Sequence, residues 1–460
     1  MIPTVRPLRP LLAAALLAGA TACSTSSAAS GSTVEVVVGY QSKTINTVTA
    51  GTLLRARGYL EQRLAEAGKQ SGKTYKVTWQ DYDSGAPITA QMLADKIDIG
   101  SMGDYPLLIN GSRAQEAGGP GTRLVSITGY NLLGALNSVV VPTGSPAHTL
   151  ADLKGKRVST SVGSAADGTL VQALRRLGVK DEEIQKQNQQ PAVGASALKA
   201  GGVDALAQFV AWPGAVVFAG DGRLLYDGAA LGRPTLHGVV IRQKYGAEHP
   251  EVVQAFLRAQ DDATRYLNEK PLPAAAQVAE ATGLPAEVVY LYNGPNGIAT
   301  FAAPLRPELL EALRQDVPFL KSVGVLKALD VERFLDPSYL AKAALADVPA
   351  ARITGTDPVC GRPVEDPRLA GELWYQGEDS TRPAADPVCL LRAVKAGGGK
   401  LRAAYVPDAA TGTRWFADQD HWVRDGAKLL PFTTEDGAAA YLAAHPGTEK
   451  LTYQQALAAA

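Results

Sequence analysis

Two identical tetrapeptides carry the most reactive side chains of this 460-residue chain. Each reads DPVC, and they end at Cys360 and Cys389. Two such cysteines could form a structural disulfide in an oxidising compartment. As thiolates they could instead bind a soft ion such as Cu(I), and buried free thiols that only pack are the third interpretation. The sequence leaves these three interpretations open.

Metal binding in this part of the chain would draw on Cys360, Cys389 and His421. Two thiolates and one imidazole suit Cu(I), and they also suit Zn²⁺. The five histidines form no HExxH motif, and no CxxC pair faces a second one. The sequence therefore predicts no catalytic zinc helix and no zinc-finger-like site.

The third cysteine, Cys23, closes a segment with the layout of an export signal. Two arginines precede an apolar run, Leu11–Ala20, which is too short to span a bilayer as a helix. The small residues before Cys23 resemble a bacterial lipobox, which implies lipidation of Cys23 and removal of residues 1–22 as a signal peptide. An ordinary secretory signal is the alternative. With a flexible tether over 23–33, we expect an extracytoplasmic protein, lipid-anchored to the outer face of the cell membrane.

Four loops between residues 34 and 345 combine small residues with side chains that could hold a solute. In α/β folds, ligands sit beyond the carboxyl ends of strands, against the free N–H groups of helix N-termini. Taken singly, each loop is also compatible with an ordinary turn or helix cap. We predict ligand contacts at Tyr40, Gln41, Ser84, Gly85, Gly103, Asp104, Gly163, Ser164, Asp167 and Trp212.

Two carboxylates among these residues bear on the charge of the solute. Asp104 and Asp167 each lie in the first turn of a predicted helix, where they favour the helix dipole but repel a nearby anion. If they face the solute, that solute carries an amine or is zwitterionic. The alternative is that both are caps that point away from it. Trp212 and Tyr40 would supply aromatic walls, or they belong to the core.

Alternating strand and helix patterns must position these loops. An α/β fold with mostly parallel sheets is therefore predicted. Apolar runs predict strands at Val34–Tyr40, Tyr75–Tyr82, Ile97–Met102, Leu124–Gly129, Ser138–Val141, Arg157–Val162, Ala205–Val210 and Leu236–Ile241. Helical periodicity predicts helices over 47–68, 87–96, 168–177, 191–200, 251–268, 273–282 and 306–322.

Three segments in this region carry a family resemblance: GYQ, SGAPITAQMLADKIDIGSMGDYP and TLADLKGKRVSTSVGSAADGTLVQALRRLGV. Together they resemble the nitrate/sulfonate/taurine group of ABC-transporter substrate-binding proteins. The resemblance implies a two-lobed (type II) periplasmic-binding-protein-like domain over 34–345, whose inserted second lobe takes about 131–236. Its function would be to capture a small organic solute between the lobes and deliver it to the permease and ATPase subunits of an importer. The resemblance implies that the protein is not an enzyme and that it requires no cofactor.

The chain after a linker at 346–356 carries a second resemblance. Its segments are PVCGRPV, YVPDAATGTRW and PFTTEDGAAAYLAAHPG. They resemble the NosL family, which implies a small α+β domain over 357–460 and the binding of Cu(I). Arg362 stands where the family has a methionine, so a copper site could use only Cys360, Cys389 and His421. A metal-handling lipoprotein is therefore the alternative function.

Composition excludes some other classes of protein. The chain has 45 basic and 45 acidic residues, so it lacks the basic excess that nucleic-acid binding requires. Hydrophobic residues make up 46% of it, enough for extensive cores. No P-loop and no strand-linked GxGxxG motif is present. We therefore expect no nucleic-acid partner and no nucleotide chemistry.

Overall fold

A computed structural model of the chain describes residues 33–346 and 348–460. The predicted signal peptide, Cys23 and the tether up to residue 32 lie outside the described residues. Within the described part, no helix is both long and apolar enough to cross a membrane.

The first lobe begins with a strand and a broken helical segment. The single helix expected over 47–68 is wrong: Gly51 and Gly58 interrupt it, and Gly58 has a left-handed φ of 63°. The elements are β1 (Thr33–Tyr40), a 3₁₀ helix (Ile45–Ala50), α1 (Thr52–Ala56), α2 (Tyr59–Ser71), β2 (Thr74–Asp81), α3 (Gly85–Leu93), β3 (Ile99–Gly103), α4 (Asp104–Glu116) and β4 (Thr122–Asn131).

The second lobe is inserted after β4. Its edge strands, β7 and β9, are polar or short, and the sequence patterns missed them. The elements are β5 (Asn137–Pro142), a 3₁₀ helix (Leu150–Leu153), β6 (Arg157–Thr160), α5 (Ala165–Arg176), a 3₁₀ helix (Asp181–Glu183), β7 (Gln185–Asn188), α6 (Pro191–Lys199), β8 (Ala205–Phe209), α7 (Trp212–Phe218), β9 (Gly222–Asp227) and a 3₁₀ helix (Gly228–Leu231).

The chain then returns to the first lobe, and helices dominate this return. The elements are β10 (Thr235–Arg242), α8 (Gln243–Glu248), α9 (Pro250–Glu269), α10 (Pro271–Thr282), α11 (Ala286–Asn293), β11 (Thr300–Phe301), α12 (Pro307–Ser322), α13 (Val331–Phe334) and α14 (Ser338–Ala343).

Each lobe is built on one mixed sheet, with strand orders β11-β4-β10-β3-β1-β2 and β7-β6-β8-β5-β9. The prediction of mostly parallel sheets is wrong in this respect. β10 runs antiparallel to β3 and β4, and β5 runs antiparallel to β8 and β9. The reason is that β5 and β10 each start at the crossing between the lobes, whereas their neighbours end there. Buried apolar clusters cover both faces of each sheet, and the predicted two-lobed α/β architecture is confirmed.

Two chain crossings join the lobes and lie against each other. The backbone N–H of Arg233 donates to the carbonyl of Leu133 at 3.0 Å. Gly134, with a φ of 107°, lies so close that a Cβ there would be 2.9 Å from the Gly228 carbonyl oxygen. The two crossings therefore meet backbone to backbone.

Residues 357–460, called the C-terminal region below, form two antiparallel sheets with three helices. The strand orders are β13-β12-β14-β15 and β17-β16-β18. The elements are β12 (Gly371–Tyr375), β13 (Arg382–Ala384), α15 (Pro387–Ala396), β14 (Leu401–Pro407), β15 (Arg414–Phe416), β16 (His421–Asp425), β17 (Lys428–Phe432), α16 (Glu435–Ala444), β18 (Glu449–Leu451) and α17 (Tyr453–Ala459).

Candidate functional site

The predicted contact loops of lobe one meet at one edge of its sheet. β1, β2 and β3 are parallel neighbours, so their carboxyl ends lie together. Gln41, just after β1, donates from Nε2 to the Ser101 carbonyl of β3 at 3.1 Å. The backbone N–H of Tyr82, after β2, donates to the Tyr40 carbonyl at 2.9 Å. The structure therefore brings the loops after these three strands together.

Tyr40 is the member of this set that packs within lobe one. Its side chain is 3% exposed and its ring meets Trp79 edge-on at 5.6 Å between centroids. Arg55 donates to its hydroxyl, and a Cβ on Gly51 would lie 2.9 Å from its ring. This surrounding favours the interpretation that Tyr40 belongs to the core.

Asp104, at the start of α4, is a buried cap tied to the returning strand. Its carboxylate accepts the backbone N–H of Tyr105 at 2.8 Å and that of Leu236, on β10, at 3.2 Å. Burial raises the pKa of Asp104 above its usual range. Gly103, one residue earlier, lies against the imidazole of His237, 3.1 Å from where a Cβ would stand.

Asp167 is likewise a cap, at the start of α5 in lobe two. The Ser164 hydroxyl accepts the Asp167 backbone N–H at 3.3 Å, and the Asp167 carboxylate accepts the Gly163 N–H at 3.0 Å. Lys186 compensates its charge at 3.0 Å. At this end of α5, the Ser164 hydroxyl therefore engages one first-turn N–H group, that of Asp167, and the Asp167 carboxylate binds the backbone just before the helix.

The start of α3 differs from these two helix starts. Ser84 precedes its first turn, but its hydroxyl makes no capping hydrogen bond to the backbone of the helix. Gly85 packs closely, since a Cβ there would lie 2.6 Å from the Cβ of Pro106. The first-turn N–H groups of α3 are thus available to an anion, in contrast to those of α5.

Trp212 opens α7 on the opposite lobe and faces the loop after β1. Its ring is partly exposed, and the Lys43 ammonium lies 5.9 Å from the ring centroid. The next glycine, Gly214, donates its N–H to the Tyr292 hydroxyl at 3.2 Å. Through Lys43, Trp212 of lobe two therefore lies close to the loop after β1 of lobe one, and the predicted solute contacts of Gln41 and Trp212 stay predictions.

Direct contact between α4 and α5 closes one side of the cleft between the lobes. A Cβ on Gly168 would overlap the ring of Tyr105, so only a glycine permits this approach. Gln172 donates to the Tyr105 hydroxyl, and Arg233, on the second crossing, donates to the Gln172 side chain at 2.6 Å. The interlobe contact thus depends on side chains from both lobes and from a crossing.

Two buried carboxyl groups stand beside this contact. Asp104 and Asp316, of α12, border the same small cavity between the lobes, together with Arg233. Burial raises the pKa of Asp316, and the neighbouring Asp104 raises it further, while Arg233 opposes the shift. Sequence reasoning did not find Asp316, because nothing in a helical pattern tells which polar residue will meet another lobe.

Several polar atoms near the strand ends have no hydrogen-bond partner within the described residues. They include the hydroxyls of Ser101 and Thr160, Oε1 of Gln208, and both polar side-chain atoms of Asn137. Buried polar atoms of this kind normally find a protein, water or ligand partner. A polar residue near the end of an otherwise apolar strand was the sequence signal for them. Lys43 and the buried pair His237 and Asn46, joined at 2.6 Å, were also missed.

The candidate metal ligands of the C-terminal region are only partly brought together. Cys360 and Cys389 form a disulfide, with their Cα atoms 5.9 Å apart. The Asp357 carboxylate lies within 4.8 Å of both sulfurs, and His421 is not in that group. His421 lies on β16, where burial lowers its pKa to about 4. In this state neither sulfur is a thiolate, so the residues do not fit a copper ion without prior reduction.

Comparison with known proteins agrees with this geometry. The NMT1/THI5-like family matches residues 109–274. A putative aliphatic sulfonates-binding protein of Escherichia coli (strain K12) is 30% identical over 332 residues, 70% of this chain and 96% of that protein. The taurine-binding periplasmic protein of the same organism is 28% identical over 230 residues, 49% of this chain and 68% of that protein.

A solved structure supports the same assignment. The alkanesulfonate-binding protein SsuA from Xanthomonas axonopodis pv. citri, bound to MOPS, superposes with a TM-score of 0.55 and 26% identity. The match covers 66% of this chain and 98% of that one. The chain therefore belongs to the family of periplasmic binding proteins that includes the aliphatic sulfonate-binding and taurine-binding proteins.

Proposed function

We propose that the protein is the solute-binding component of an ABC importer and captures an organic sulfonate, such as taurine or an alkanesulfonate, between its lobes. The observation that carries the proposal is the cleft itself. The two lobes meet at α4, α5 and the chain crossings, and buried polar atoms near their strand ends have no hydrogen-bond partner within the described residues. Closure around the solute would give the permease a distinct liganded shape to recognise.

The charge distribution indicates how a sulfonate would lie in the cleft. The first turn of α3, uncapped by Ser84, offers N–H groups to an anionic head. Lys43 makes no ion pair within the described residues, so its ammonium is free to neutralise the sulfonate. The Trp212 ring then offers an apolar face to the rest of the solute.

Calorimetric titration tests this proposal directly. We expect micromolar binding of taurine or a short alkanesulfonate, and weaker binding of the matching carboxylate. Lys43→Ala should weaken sulfonate binding by about tenfold, the equivalent of about 1.4 kcal/mol. Lys69→Ala, on the exposed face of α2, is the matched control and should change nothing. Failure to bind any sulfonate, or equal losses in both variants, would contradict the proposal.

Delivery to a permease and ATPase, and the lipid anchor, complete the proposed role. Cys23 would carry the lipid and hold the cleft near its permease. Mass spectrometry of membrane-extracted protein should find the lipid on Cys23, and Cys23→Ser should release the protein from the membrane. Uptake of radiolabelled taurine should fall in cells that lack the protein and recover with the intact chain.

Metal handling by a NosL-like C-terminal region is a second candidate function. The observation that favours it is the group of Asp357, Cys360 and Cys389, whose donor atoms lie within 4.8 Å of one another. The chemistry requires the two thiolates of the reduced protein. Cu(I) competition with a chromophoric chelator on reduced protein, against Cys360→Ser and Cys389→Ser, tests it. Equal copper retention in all three proteins would exclude it.

A further inference from the structure

The two sulfurs of the disulfide have very different surroundings. Cys389 is 1% exposed and lies in the first turn of α15. Cys360 is partly exposed in a turn that ends at Gly361, whose φ is 67°. Its neighbour Val359 is 45% exposed, so this turn lies at the surface. An external reagent can therefore approach Cys360 far more easily than Cys389.

The buried sulfur of Cys389 is in contact with a guanidinium, which also pairs with the Asp386 carboxylate. The Arg362 guanidinium donates to the Cys389 sulfur at 3.0 Å. The Cys389 backbone N–H donates to the Asp386 cap at 2.8 Å, which fixes the sulfur close to the N-terminus of α15. A guanidinium and a helix N-terminus both stabilise a thiolate over a thiol. Cys389 is thus the better leaving group of the two sulfurs.

Two carboxylates oppose this effect: Asp386 pairs with Arg362, and Asp357 spreads its charge over backbone N–H groups. The Asp357 oxygens lie within 4.8 Å of the sulfurs. They accept the backbone N–H groups of Val359 and Cys360 at 2.8 Å and that of Ala385 at 2.9 Å. The same bonds hold the turn against the start of α15, so Cys360 stays in place when the disulfide is cleaved.

We propose that this disulfide is a thiol–disulfide exchange site and not only a structural crosslink. The thiolate of an external dithiol attacks the Cys360 sulfur, and the Cys360–Cys389 bond breaks. A mixed disulfide forms between the reductant and Cys360. The electron pair of the broken Cys360–Cys389 bond leaves with Cys389, which becomes a thiolate beside Arg362. The second thiol of the reductant then displaces Cys360, so the dithiol is oxidised by two electrons and the protein is reduced by two.

The first experiment identifies which of the two sulfurs is attacked. Oxidised full-length protein is treated briefly with the monothiol glutathione, quenched in acid and mapped by mass spectrometry. We expect glutathione on Cys360. Glutathione found mainly on Cys389, or no adduct until the protein is denatured, would overturn the proposal in favour of a structural crosslink.

The second experiment tests the role of Arg362. Arg362→Ala should slow reduction by dithiothreitol by about tenfold, because the guanidinium no longer contacts the departing Cys389 sulfur, and Arg362→Lys, which keeps a positive charge, should recover part of the rate. Arg368→Ala, which removes an exposed arginine paired only with Asp366, is the matched control. Circular dichroism confirms that the variants fold. Equal reduction rates in Arg362→Ala and Arg368→Ala would remove the proposed basis for exchange.

Discussion

The cleft between the lobes and the junction between the C-terminal region and the lobes are both internal interfaces, yet they are built in opposite ways. The cleft is lined by small residues, helix starts and polar strand ends, some without partners. At the junction, large aromatic side chains join one apolar core with lobe two, α10 and α11; they are Trp374, Tyr405, Trp415 and Phe416. Separating the junction would expose this apolar core to water, so we expect it to cost far more than opening the cleft.

Polar contacts at the junction strengthen the contrast. Arg414 and Glu372 form an ion pair in which the side chains are 4% and 6% exposed, and Tyr290 of α11 donates to Glu372 at 3.1 Å. Asp227, at the end of β9, accepts the Thr413 hydroxyl at 2.6 Å. The C-terminal region is therefore held by both the return helices and lobe two.

Breaking the buried ion pair gives the largest expected effect. Arg414→Ala leaves the Glu372 carboxylate buried without its cation, which typically costs about 3–5 kcal/mol of unfolding free energy. Urea denaturation measures it. Arg402→Ala removes the more exposed pair with Glu287 and should cost less than about 1 kcal/mol. Similar losses in both variants would show that the junction is no more tightly built than the surface.

A side chain at Gly168 should act on the cleft and spare the junction. Gly168→Ala places a Cβ into the Tyr105 ring and obstructs the approach of α5 to α4, so sulfonate affinity should fall at least tenfold, about 1.4 kcal/mol. Tyr105→Ala in the same chain should restore part of it. Gly119→Ala, which meets no atom within 4 Å, is the control. An unchanged affinity would mean that this contact does not accompany ligand capture.

We expect the stability of the folded protein to depend on pH through the two buried carboxyl groups beside the cleft. Burial raises the pKa values of Asp104 and Asp316 in the folded, closed protein. The native state therefore binds more protons than the unfolded state above about pH 4, and stability is lost as pH rises through the raised pKa values. Asp316→Asn should reduce the fall in Tm between pH 5 and 9, which we expect to be a few degrees. Parallel curves for both proteins would contradict this.

The smallest expected effect lies at the edge of the junction. His148 of lobe two contacts the Glu435 carboxylate at 2.6 Å. Hydrogen bonds from Lys450, the larger cause, and from His148 lower the pKa of Glu435 to about 2. Because His148 is well exposed, His148→Ala should cost less than about 0.5 kcal/mol in urea denaturation. A loss of unfolding free energy as large as that for Arg414→Ala would show that the exposed edge of the junction contributes as much stability as its buried ion pair.

Local patterns predicted the strands and helices of the α/β region, because strand alternation and helical periodicity are properties of short segments, and the family resemblance implied the two lobes. The run Val34–Tyr40 becomes β1, which begins one residue earlier at Thr33, and the helix expected over 306–322 is α12, which begins at Pro307. Strand direction was not predictable in this way, because it depends on where the chain crosses between lobes. The solute contacts of Gln41 and Trp212 stay predictions.

Contacts between distant segments could not be foreseen. Gly168 carries no signal until the ring of Tyr105 lies against it, and Asp316 looks like any polar helical residue. The aromatic residues of β14 and β15 could be assigned to a core, but not to one shared with lobe two. Asp104 and Asp167 both accept backbone hydrogen bonds, and their contact with a solute stays a prediction.

The contact between Gly134 and Gly228 has a consequence for how binding specificity can change. The two crossings meet through main-chain atoms with no side chain between them, so this contact does not depend on the side chains at Gln41, Ser84 or Trp212, where we predict solute contacts. We therefore expect substitutions at those positions to change which solute is retained without disturbing the junction of the two lobes.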